Sequence, residues 1–217
     1  MGGNVEFICP IDGQEFESYQ DFSSTSFGAR LDLQQVGLIA QPWALPDCPR
    51  CHFVLYEKRF SKSDLEVLKL FILSDEFKRF AETPSYNRLG VIKQHLNAPS
   101  YEVAWAYHQA SWQVEDKKDE YSKYAQKAIA AFLKSQTELE KQTDKYDDYL
   151  IACYLPIEIS RRLQRFDEAK KHLSAFPKIG ETEVWWLPRV LKFQKKLIRK
   201  KKDSKDYLIN DAMSKWP

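Results

Sequence analysis

Glycine is scarce in this chain, with seven in 217 residues. So few disfavour Gly-rich nucleotide-binding turns and all-β folds built on many tight turns. No apolar run approaches the roughly 18 residues that would suggest a membrane span. The N-terminus has no basic region followed by an apolar stretch, so no secretory signal is visible. There is no Gly-rich phosphate loop, nucleophile elbow or metalloprotease helix motif, and the motif-bearing enzyme classes lose their support. Cysteines number only four. In a chain without a signal they fit a reducing cytoplasm, where such residues bind metal or do redox work.

What the chain does have is charge and aromatic content, at 29% and 14% of residues, as in a well-cored globular protein. Its length allows one large domain, or a small one attached to a medium one. The net charge of +2 conceals an asymmetry. Residues 1–60 carry 4 basic and 8 acidic side chains, residues 61–160 carry 13 and 16, and residues 161–217 carry 16 and 7. The basic excess is confined to the C-terminal quarter.

Three of the four cysteines form two knuckles. Cys9-Pro10-Ile11-Asp12-Gly13 comes first, and Cys48-Pro49-Arg50-Cys51-His52 follows. A C-P-x-C turn presents two thiolates to one zinc ion, and two knuckles from separate stretches make a closed tetrahedral site. The expected ligands of one structural zinc are Cys9, Cys48, Cys51 and Asp12, which stands where the first knuckle's second sulfur would be. His52 is the alternative fourth ligand, though its place directly after Cys51 makes joint coordination awkward. Three further readings stay open: a decayed site with buried thiols, a redox pair at Cys48/Cys51 without a thioredoxin-like surround, and a catalytic zinc with water in the fourth position. Cys153, among Leu150, Ile151, Tyr154 and Leu155, reads as a core residue.

Residues 1–60 hold little apolar material, so a metal staple is physically reasonable there. Short β-like pieces, Val5 to Ile8 and Phe53 to Tyr56, flank the knuckles, with a polar, serine-rich segment at Ser18 to Ser26. From Ser61 the periodicity becomes helical. Ser63-Asp64-Leu65-Glu66 reads as a capping box. Helices are expected over Ser85–Leu96, Ser100–Val114, Tyr121–Lys141 and Tyr149–Leu163, the last with Pro156 inside it. Phe166, Ala169 and Leu173 follow at the spacing of the second helix of a tetratricopeptide repeat, with Gln164 in the turn where that repeat usually has glycine. A last long helix begins near Glu183, with Trp186, Val190, Phe193 and Leu197 as a buried stripe. Its other face carries Lys192, Lys195, Lys196, Arg199, Lys200 and Lys202. A short amphipathic tail runs from Tyr207 to Trp216. His95, His108 and His172 have no metal-ligand spacing, and Asp147-Asp148 and Asp116/Asp119/Glu120 read as helix-start and turn charges.

Knuckles and helices together resemble a bacterial family known only as a domain of unknown function, with a four-cysteine zinc-ribbon-like N-terminus and tetratricopeptide-like helices. The matching residues are Cys9-Pro10 and Gly13, Cys48-Pro49-Arg50-Cys51 with Phe53, Tyr56 and Phe60, and Pro84-Ser85-Tyr86-Asn87-Arg88 with the Ala104 to Trp112 helix. The resemblance spans roughly residues 5–175. Asp12 departs from the family's second cysteine and His52 from the glycine that usually follows the last one. The resemblance implies a cytoplasmic bacterial protein with no established activity.

The expected architecture is mainly α: a zinc-binding β module at residues 1–60 and an antiparallel, tetratricopeptide-like helical domain at residues 61–217. The expected function is non-enzymatic, a protein-interaction scaffold whose helix pairs hold a protein or peptide partner. The rival is nucleic-acid binding by the zinc module together with Lys192, Lys195, Lys196, Arg199 and Lys200. A zinc-dependent hydrolase is a third reading and requires an open coordination position.

Overall fold

The computed structural model describes residues 2–23, 25–38 and 41–214. Its elements run β1 (Gly2–Ile8), β2 (Glu15–Asp21), β3 (Ser26–Ala29), β4 (Gln35–Gly37), α1 (Lys62–Ile72), α2 (Asp75–Lys78), α3 (Ser85–His95), α4 (Ser100–Gln113), α5 (Lys118–Leu139), α6 (Tyr146–Arg162), α7 (Phe166–Ser174), α8 (Leu187–Arg199) and α9 (Ile209–Ser214). The chain is mainly helical, with two small two-stranded sheets near the N-terminus. No described helix is long and apolar enough to cross a membrane. Compact packing gathers residues 1–24 with 42–124 in a first unit, and 25–41 with 125–217 in a second.

That grouping departs from the composition boundary at residue 60, and the first unit's core gives the reason. Cys9, Ile11, Cys48, Phe53 and Val54 pack in one cluster with Leu68, Ile72, Phe77 and Ile92. The knuckles are too small to bury an apolar core alone, so α1 to α3 complete it. β1 and β2 pair antiparallel from Gly2↔Asp21 to Ile8↔Glu15, with the first knuckle as their turn. The first four residues of the polar, serine-rich segment, 18–21, are therefore part of strand β2. Phe53 to Tyr56 forms no strand, and its pairing is a single bridge, Asp47↔Val54.

Helix ends in this unit are set by side chains that periodicity does not reveal. α1 is capped by Ser61, whose hydroxyl accepts the Asp64 N–H at 3.1 Å, rather than by Ser63. The chain turns helical two residues earlier than the capping-box pattern suggests, and Ser63 lies inside the first turn. α3 starts after Pro84, which has no side chain able to cap it, so Gln113 of α4 accepts the Tyr86 N–H at 3.2 Å instead. Arg88 joins the helices to the second knuckle. It donates to Asp47 Oδ2 at 2.5 Å, next to Cys48, and to the Ala81 and Thr83 carbonyls. Its burial pulls the guanidinium pKa down, against the upward pull of Asp47.

α3 and α4 approach closely at Gly90. A Cβ built there would lie 2.7 Å from the Tyr107 ring, which is buried and hydrogen-bonded to Gln94 Oε1 at 2.7 Å. Gly90→Ala gains about 1 kcal/mol of helix propensity but overpacks at a cost of about 1–3 kcal/mol. A net loss of stability is expected, read as a lower urea midpoint with unchanged slope.

The second unit is built around α6. Leu150, Tyr154, Leu155, Ile157 and Glu158 are buried, and Tyr154 donates to the Leu31 carbonyl at 2.6 Å. Pro156 lies inside the helix and has no N–H, so the Ala152 carbonyl loses its usual donor. Gln136 of α5 donates to it at 3.0 Å, and α6 continues as one helix to Arg162. Leu163 to Arg165 turns the chain into α7, with Gln164 at φ +61° where glycine was the expected residue. In α8 the stripe Val190, Phe193 and Leu197 is buried as its spacing implies. The helix begins at Leu187 rather than near Glu183, so Trp186 sits at the N-cap, its ring 5.9 Å from Tyr154. Trp216, at the end of the expected tail, lies outside the described residues.

Candidate metal centre

The two knuckles share one backbone design. Cys9 N–H donates to the Gln14 carbonyl and Gly13 N–H to the Cys9 carbonyl, both at 2.9 Å. Cys48 N–H donates to the Phe53 carbonyl and His52 N–H to the Cys48 carbonyl, again at 2.9 Å. The fifth residue of each turn is left-handed, Gly13 at φ +71° and His52 at φ +60°. Cys9 therefore matches Cys48, and Asp12 matches Cys51, position for position.

Packed together, the knuckles bring one ligand atom from each of Cys9, Asp12, Cys48 and Cys51 to within 4.8 Å of all the others. Cys9 Sγ lies 3.6 Å from Cys51 Sγ, and Cys48 Sγ lies 3.6 Å from Asp12 Oδ1. Zn–S bonds of 2.3 Å set at tetrahedral angles give S···S edges of about 3.8 Å, and one oxygen at 2.0 Å shortens its edges to about 3.5 Å. The observed separations fall at those edges. The three sulfurs are buried. The set could hold a metal ion, and His52 is not part of it.

Electrostatics prepare the set for a cation. Arg50 Nε donates to Asp12 Oδ2 at 2.8 Å, and its Nη2 donates to the Asp12 carbonyl. This pairing holds the Asp12 carboxyl well below the usual carboxylate range, so it is ionised at neutral pH. Hydrogen bonding from Cys51 lowers the Cys9 thiol to about 7, while the Cys51 thiol moves up. A divalent cation bound there would require both sulfurs as thiolates and would displace the thiol proton between them. Burial raises the Cys48 thiol.

Arg50 is the functional residue that sequence reasoning missed. Its position between the second knuckle's cysteines gave no sign that it reaches across to the first. Its partner, a carboxylate in a cysteine's place, was the available signal. Elsewhere, Cys153 is buried and its thiol is raised to about 11 by that burial, as suits a core residue. The ring of His95 stacks on Phe71 with centroids 3.9 Å apart, and His108 packs on Trp112 at 4.6 Å. Asp147 accepts from Thr182 and from the Glu183 N–H at 3.2 Å, so it organises a loop at the start of α6.

His52 offers a direct test of the knuckle geometry. A left-handed backbone costs a non-glycine residue about 1–2 kcal/mol, partly offset by glycine's greater freedom when unfolded. His52→Gly is expected to raise stability by about 0.5–1 kcal/mol, seen as a higher urea midpoint.

Comparison of the chain with protein-family models, curated proteins and solved structures finds no match.

Proposed function

We propose that this chain is a non-enzymatic protein-interaction scaffold whose first unit is held together by one structural zinc. The observation that carries the zinc reading is the convergence of one ligand atom from each of Cys9, Asp12, Cys48 and Cys51 to within 4.8 Å of one another. Three thiolates and one carboxylate suit zinc, a borderline-soft ion without geometric demands of its own. The protein supplies all four positions, which leaves no open place for a reacting water and argues for structure over hydrolysis. Four free cysteines accord with a reducing, cytoplasmic setting.

The interaction reading is supported by α1. Leu68, Phe71 and Ile72 face the core, yet Val67, Leu70 and Leu73 are exposed, Leu70 at 82%. An outward helix face is normally polar, and apolar residues grouped on one suit a protein partner. The large aromatics of α4 serve the core instead, since Tyr107 and Trp112 are buried. In the second unit, α6 and α7 are read as a tetratricopeptide-like pair, with Ala169 fully buried at the small position and Gln164 taking the glycine's conformation.

The test compares wild type with Leu70→Glu as affinity baits in lysate. The reading expects proteins retained by wild type and lost from the variant, with unchanged circular dichroism. Identical retention by both would contradict it.

A further inference from the structure

The strongest charge feature apart from the metal centre lies on α8. The apolar residues Leu187, Val190, Phe193, Leu197 and Ile198 are buried, so one face holds the helix in the second unit. Arg189, Lys192, Lys195, Lys196, Arg199 and Lys200 are all exposed. At 3.6 residues per turn they fall in a wedge about 140° wide and about 16 Å long. Lys201 and Lys202 extend the charge past the helix end.

Several cations elsewhere in the chain are paired locally. Lys78, Lys117, Lys134 and Arg165 each have an acid three or four residues away. α8 contains neither Asp nor Glu, and none of its cations forms an ion pair among the described residues. Like charges at this spacing repel one another. Cations at a helix C-terminus favour the macrodipole, but Arg189 and Lys192 lie in the N-terminal half, where it opposes them. Helix stability does not account for this face, whereas a polyanion would neutralise it.

One residue narrows the choice of polyanion. Trp185 is 69% exposed. It lies in the turn closed by the Leu187 N–H on the Val184 carbonyl, one helical turn ahead of Arg189. A large aromatic left in water at the end of a cationic stripe offers a stacking surface for a base. A membrane surface fits less well, because interfacial helices insert their apolar face and here that face is buried. An acidic peptide would use the charges but leave the indole without a stacking partner.

We propose that the α8 face and Trp185 bind single-stranded nucleic acid without sequence preference. The cations contact successive phosphates, and Trp185 stacks on one base. The face belongs to the second unit and requires no metal.

The test is fluorescence anisotropy of the full chain with labelled 20-nucleotide oligouridine and oligothymidine across a salt series. Neutralising about four to six phosphates predicts a log–log salt slope of about −3 to −4 for a single strand. Combined Lys195→Glu, Lys196→Glu and Arg199→Glu should weaken binding at least tenfold and flatten the slope. Combined Lys192→Gln, Lys196→Gln and Lys200→Gln should flatten it without adding acid. Trp185→Ala should weaken binding about five- to tenfold and leave the slope unchanged. The sites are exposed, so circular dichroism should match wild type throughout. Absence of binding at 50 mM salt, or equal binding by the charge variants, would overturn the proposal. So would unchanged binding by Trp185→Ala, equal competition by polyglutamate, or capture by anionic vesicles with no binding to oligonucleotide.

Discussion

Replacing Cys48 by Ser, or stripping the proposed zinc with a strong chelator, is expected to unfold the knuckle region of the first unit. Cys48 is fully buried in the cluster that also contains Leu68, Ile72, Phe77 and Ile92. Binding energy of a structural zinc is folding energy, so losing a ligand should cost on the order of 5 kcal/mol or more. Hydrogen exchange is the appropriate readout. The amides of Cys9, Gly13, Cys48 and His52, each bonded within a knuckle, should lose protection first, followed by those of β1 and α1. If the thiols were only buried core groups, Cys48→Ser would remove one weak donor and cost about 1 kcal/mol. The two readings differ severalfold in one measurement.

The second large effect concerns α6. Arg161 and Glu158 have side chains 0% and 1% exposed, and the pair is bidentate at 2.9 and 2.6 Å. Arg161 also donates to the carbonyls of Lys202 and Ser204, and Gln194 donates to Glu158 at 2.6 Å. Arg161→Met would leave a buried carboxylate without its counter-charge and two carbonyls without donors. Breaking such a pair costs about 3–5 kcal/mol. For a chain of this size that lowers the thermal midpoint by roughly 10 °C. Adding Glu158→Leu to the same variant should recover most of the loss, because two apolar residues replace a pair whose desolvation was itself expensive. Calorimetry of the two variants checks both statements, and failure of the double variant to recover would show that the carbonyl contacts dominate.

How much could be read in advance depended on where the information lay. The knuckles were legible because their ligands sit at fixed short offsets, and Asp12 could be matched to Cys51 by counting alone. α8 was legible because it carries a periodic buried face, and α4, buried on most of its circumference, was legible from its start after Pro99 and its aromatic content. β2 was hidden because a two-stranded ribbon needs little apolar content. Glu15, Glu17 and Tyr19 face outward, and Phe16 is the only strongly apolar residue on the other side. The first unit's boundary was hidden because its core is shared between residues far apart in sequence. Arg161 and Glu158 stand three residues apart, as an exposed helical pair would, and no local pattern marks them as buried. Asp32 is paired locally with Arg30 at 2.8 Å and over a long sequence distance with Arg162, a contact no local pattern marks.

The most direct test of the account is metal content by mass spectrometry on untagged protein, for wild type, Cys48→Ser and Asp12→Ala. The account predicts about one zinc per wild-type chain, its loss in Cys48→Ser, and weakened retention in Asp12→Ala because a carboxylate supplies one of the four bonds. A folded wild-type protein carrying no metal would contradict the structural-zinc reading. Full retention in Asp12→Ala would contradict the role given to the carboxylate and to Arg50 beside it.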